Sequence, residues 1–76
     1  KSGKKIISVS IDSGLRESTI AEELSVIQNN FPDVDIGSYP YFKEKPGTVI
    51  VLRSTEKKFV TECEKDIKKL IISLNR

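Results

Sequence analysis

The sequence predicts a two-layer α+β domain with elements in the order β-α-β-β-α. Three observations carry that prediction. Ile7, Val9 and Ile11 alternate with Ser8 and Ser10, the two-residue period of a half-buried strand. Two segments repeat apolar residues at helical spacing: Ile20, Leu24, Ile27 and Phe31, then Phe59, Cys63, Ile67, Leu70 and Leu74. Val49-Ile50-Val51-Leu52 is a continuous, mostly β-branched run, which fits a strand in the middle of a sheet.

The first strand is read over Ile6 to Ile11, ended by Asp12-Ser13-Gly14. A helix follows from about Glu17 to Asn29. Ala21 beside its apolar stripe permits close packing. Thr19 and Glu22 stand at capping-box spacing, with Ser18 a rival cap. Asn29-Asn30 and Pro32-Asp33 mark the exit. The second strand covers Val34 to Tyr39, and Pro40, which has no amide to donate, makes it an edge strand. Tyr41 to Gly47 reads as a polar connection ending in the turn pair Pro46-Gly47. The third strand runs from Thr48 to Arg53. The last helix runs from about Glu56 to Leu74, capped by Ser54 or Thr55, with Val60 and Ile71 flanking its stripe and Glu64 placed to pair with Lys68.

A right-handed crossover through the first helix sets strands one and two parallel. The most apolar strand, the third, belongs between them. The sheet order is therefore 1-3-2, with strand three antiparallel to both neighbours and both helices on one face. This is a split β-α-β layer, a truncated relative of ferredoxin-like and K-homology architectures. Residues 1–5 read as a flexible amino-terminal segment and 6–76 as one domain.

Seventy-six residues bury only a small core. The chain has one cysteine and no histidine, which excludes cysteine–histidine zinc sites. A lone cysteine fits a reducing compartment. Thirteen basic and 11 acidic residues give a net charge of +2, not the balance of a chain built mainly to grip polyanions. No apolar run approaches the roughly 20 residues of a membrane span, and these residues do not read as a signal peptide. The start at Lys1-Ser2-Gly3-Lys4-Lys5, with no methionine, reads as a segment excised from a longer protein.

Candidate chemistry is sparse. Cys63 lies in the apolar stripe of the last helix and, without a histidine base, reads as a core residue rather than a nucleophile. Asp33 and Asp35 could share a strand face and hold a hard cation weakly, but they fit better as a solvated edge. Ser13-Gly14 before a helix is a turn, not a phosphate-binding signature. The lysines cluster at 1, 4 and 5, at 57 and 58, and at 65, 68 and 69, and acidic residues interleave with the last two clusters. The glycines at 3, 14, 37 and 47 form no Gly-x-x-Gly clamp for RNA. No catalytic residue and no metal ligand is therefore assigned.

The most unusual stretch is Ile36-Gly37-Ser38-Tyr39-Pro40-Tyr41-Phe42. Aromatic residues in such number mark a contact surface. Alternatively, Gly37 relieves a strand distortion and the rings cap a thin core. On the third strand, Ile50 and Leu52 are expected to face the helices, so Val49 and Val51 face outward. Val49, Val51, Tyr41 and Phe42 are the candidate docking face.

Phe31-Pro32-Asp33-Val34-Asp35-Ile36-Gly37-Ser38-Tyr39-Pro40, followed by Val49-Ile50-Val51-Leu52-Arg53-Ser54, resembles a segment of FAD synthases of the animal type. There it follows a molybdopterin-binding-like domain of the MoaB and CinA kind, and CinA-like proteins carry a similar small domain at the equivalent place. The upstream Glu17-x-x-Ile20-Ala21-x-x-Leu24 fits the same pattern, and the resemblance covers roughly residues 6–72. It implies that the chemistry lies in other domains. One looks like a nucleotide pyrophosphatase. Another, similar to phosphoadenylylsulfate reductases, joins FMN to an adenylyl group from ATP. Gly37, Ser38, Tyr39 and Pro40 match the shared element and take from it a structural or interdomain role.

The resulting expectation is an accessory, non-catalytic domain without a cofactor of its own. Its parent would be a cytoplasmic enzyme, or a mitochondrial one, using FMN or FAD, ATP and a divalent metal. Its partner would be a neighbouring catalytic domain of the same chain. The alternatives are a domain of a CinA-like pyridine-nucleotide enzyme, or a K-homology-like nucleic-acid module, which salt-dependent binding to single-stranded RNA would reveal.

Overall fold

The computed structural model of the chain describes residues 5–75; the amino-terminal segment expected to be flexible lies, except for Lys5, outside them. The elements are β1 (Ile7–Asp12), α1 (Glu17–Asn30), β2 (Asp35–Phe42), β3 (Pro46–Ser54) and α2 (Lys57–Leu74). The sheet order is β1-β3-β2, and β3 is antiparallel to both neighbours. The α+β architecture and strand order match the sequence prediction.

Alternation along β3 decides what faces the helices. Thr48, Ile50, Leu52 and Ser54 are buried, whereas Val49 and Val51 are half-buried and Arg53 is exposed. Ile50 and Leu52 join Ile20, Leu24 and Ile27 of α1, Val60, Cys63 and Ile67 of α2, and Ile11 and Val34 in one core. Both helices thus cover one face, and they touch each other as well as the sheet. Phe31, Phe59, Leu70, Ile71 and Leu74 pack around this core half-buried, so Val60, expected only to flank the stripe, lies deeper than Phe59. Thr48 brings a cost: its Oγ1 is buried with no hydrogen-bond partner.

Two serines organise the turns that lead into the helices. Ser13 Oγ donates to the Thr48 carbonyl at 2.7 Å and accepts the Leu15 amide. Ser54 Oγ donates to the Asp33 carbonyl at 2.8 Å and accepts the Glu56 amide. Each hydroxyl closes a turn two residues long and pins it to a distant segment. The expected caps are therefore corrected. The residue preceding α1 is Arg16, with no side-chain cap, and Thr19 and Glu22 lie inside the helix; Ser54 acts one turn before α2 and does not cap it. Gly14, at φ +67°, makes the one left-handed turn among the described residues, with its amide held by Asp12.

The β2–β3 hairpin is longer than expected. The segment read as a polar connection from Tyr41 to Gly47 is mostly strand: Tyr41 pairs with Gly47 and Phe42 with Pro46, leaving only residues 43–45 as the turn. Aromatic residues favour a pleated strand over a loop. Pro46 is tolerated because it opens its strand beyond the last β1 pair, Asp12 with Val49, where no neighbour needs its missing amide.

Candidate functional site

Register sorts the Gly37–Phe42 stretch between two faces. Residues opposite one another in an antiparallel pair share a face. Ile36, Ser38, Pro40 and Phe42 stand opposite Leu52, Ile50, Thr48 and Pro46, on the helix side. Gly37, Tyr39 and Tyr41 stand opposite Val51, Val49 and Gly47, on the outer face. The candidate docking set is thereby divided. Val49, Val51 and Tyr41 share the outer face with Tyr39, but Phe42 belongs to the other side. The four residues of the Gly37–Pro40 element do not form one cluster either.

The outer face is paved by two tyrosine rings lying over two glycines. A Cβ added to Gly37 would lie 3.0 Å from the Tyr39 ring. One added to Gly47 would collide with the Tyr41 ring and hydroxyl. Aromatic cover over a strand glycine compensates for the missing side chain. Gly37 therefore seats a ring, and has no left-handed backbone to explain it. The rings lie on the outer face rather than capping the core. Tyr41 reaches from β2 across β3, and its hydroxyl donates to Asp12 Oδ1 at 2.7 Å. The same oxygen accepts the Gly14 amide at 3.1 Å. The hydrogen bond to Asp12, with lesser contributions from desolvation and the carboxylate charge, raises the Tyr41 phenol above its ordinary pKa. Lys43 Nζ sits 5.4 Å from the centroid of the Tyr41 ring.

On the helix side, Ser38 Oγ donates to Glu17 Oε2 at 2.6 Å, tying β2 to the first turn of α1. Phe42, 83% exposed, borders an open cleft with Pro40, Pro46 and Arg16. Gln28 gave no signal in the sequence. Its amide nitrogen donates to the Phe31 and Val34 carbonyls at 3.1 and 2.6 Å, and its Oε1 accepts the Ile36 amide. One side chain thus satisfies three backbone groups where α1 passes into β2.

The remaining groups weighed in the sequence take the following places. Cys63 is fully buried, and burial, then the Asp66 charge, pushes its thiol up to about 11. A thiol held neutral is a poor nucleophile. The shared strand face expected of Asp33 and Asp35 is corrected: β2 begins at Asp35, and Asp33 lies in the turn before it. Among the described residues no three histidine, cysteine or acidic side chains gather into a metal-binding group. Lys68 pairs with Glu64 at 3.0 Å as expected, and Lys58 lies over the Phe59 ring. No described helix is long and apolar enough to cross a membrane.

The Gly-x-Tyr spacing at Gly37 and Tyr39 was readable as a ring over a glycine on one strand face. The Tyr41, Gly47 and Asp12 group was not, because it needs the register of three strands. No curated protein and no solved structure matches the chain. A family model described as the FAD synthase middle domain matches residues 5–74, almost the whole chain, and the chain belongs to that family.

Proposed function

We propose that this middle domain is a non-catalytic module that positions the other domains of an FAD synthase-like protein. The observation that carries the reading is the family match over residues 5–74, because a middle domain has further domains in its chain. The side chains agree with it. The chain has no histidine, and its one thiol is buried and held neutral. The most developed surface is an aromatic sheet face rather than a cleft with convergent polar groups. On this reading the joining of FMN to an adenylyl group from ATP, any FAD pyrophosphatase activity and the divalent metal they need belong to other domains. One of these would be a molybdopterin-binding-like domain. The protein would work in the cytoplasm or the mitochondrion.

The test is turnover. The purified 76-residue chain, with its fold checked by circular dichroism, is expected to show no hydrolysis of FAD or ADP-ribose and no FAD formation from FMN and ATP. Turnover that survives repurification would overturn the reading.

A further inference from the structure

We infer that the outer face of the sheet is the seat of the domain that precedes this one in the full-length chain, with Tyr39, Val49 and Val51 as its contact centre. The inference rests on the reading of the chain as a positioning module. Its first support is the surface itself. Both helices lie on the other side, so nothing among the described residues covers this face. Tyr39 is 57% exposed, lying over Gly37, and the side chains of Val49 and Val51 are half-buried beside it. Exposed polar residues, Ser10 and Arg53 among them, border this centre. An apolar, aromatic centre within a polar rim is the anatomy of a protein–protein interface.

The second support is the edge of β2, which is closed to strand addition. The Ile36 amide points away from β3, to Gln28 Oε1. Amides at two-residue intervals point the same way. The outward donors of β2 would therefore be Ile36, Ser38, Pro40 and Phe42. The first is already engaged and the third does not exist. A partner strand would find only two donors along eight residues, so this edge, the one beside Tyr39, offers little to a docking partner and the face beside it offers more.

The third support selects the occupant. The described chain arrives through Lys5 and Ile6 into β1, a strand of the sheet itself, and Ile6 is exposed. A preceding domain therefore begins at the sheet layer, at the exposed start of β1, with the outer face within its reach. The chain leaves from α2, which belongs to the layer on the opposite side. A following domain begins behind the helices and would have to pass around the sheet.

Photo-crosslinking in the full-length protein tests this. A benzophenone amino acid is placed at Tyr39, and separately at the exposed Ile72 of α2 as a control. Tyr39 is expected to give adducts with peptides from before residue 5, and Ile72 none. Val51→Asp should lower the Tyr39 adducts about tenfold by placing a charge in the contact. Val49→Thr with Val51→Thr, which keeps β-branching, should weaken them less. Absence of adducts, adducts only with peptides after residue 74, or adducts only between isotopically heavy and light copies would each overturn the inference. The positioning role fails separately: an isolated chain that turns over substrate sinks that role while leaving the Tyr39 adducts unchanged.

Discussion

Tyr41 is the residue whose placement depends most on its neighbours, since its ring needs Gly47 beneath it and Asp12 beyond it. Gly47→Ala is expected to lift the ring and break the hydrogen bond, a loss of about 1 kcal/mol. In a Tyr41→Ala background the same substitution should be close to neutral. A double-mutant cycle by urea denaturation should therefore show a coupling of at least about 0.5 kcal/mol. Additive effects would show that the ring is not seated there. Thr48 offers a prediction of opposite sign. Its buried Oγ1 has no partner, so the near-isosteric Thr48→Val should raise stability by about 1 kcal/mol. A lower thermal midpoint would mean that the hydroxyl is satisfied after all. The sequence shows these residues but not their roles. Gly47 beside Pro46 reads as a turn former, and only the strand register puts a tyrosine over it. A connection starting at Tyr41 leaves Phe42 beside the outer face, whereas the strand continues through Phe42 and its alternation carries that ring to the helix side.

Among the elements, the passage from α1 to β2 depends most on a single side chain. Gln28 replaces water for two carbonyls and one amide at once. Gln28→Ala is expected to destabilise the domain by about 1–3 kcal/mol, the cost of leaving partly buried backbone groups unpaired. Gln28→Glu keeps the acceptor for Ile36 but turns a carboxylate toward two carbonyls, so it should not rescue. Denaturation midpoints, with amide exchange at Ile36, measure both; a Glu variant as stable as the parent would refute the account. Element type and order were legible because apolar periodicity is set by burial, and burial is what the two-residue and helical spacings record. Helix starts were less legible. The Ser18 and Thr19 signals compete with Ser13, which reaches Thr48 in a distant strand, and no local pattern reports that contact.

At the scale of the whole molecule, ten apolar side chains among the described residues make the buried core, so the margin of stability is expected to be narrow for so short a chain. The central strand, β3, precedes only α2 in the sequence, and β1 pairs with nothing else. On the ribosome, β1 and α1 emerge long before the strand that will hold them. Pairing is expected to begin at the β2–β3 hairpin, whose short turn lets it close in about 1–10 μs, while β1 must close the larger loop containing α1 and β2. The first strand made would then be the last installed. Stopped-flow measurements would show it: Val49→Ala should slow refolding, whereas Val9→Ala should act mainly on unfolding. If Val9→Ala slows refolding as much, β1 is already in place at the barrier. Otherwise, through most of its synthesis the amino terminus waits without a partner for a hairpin that is made after it.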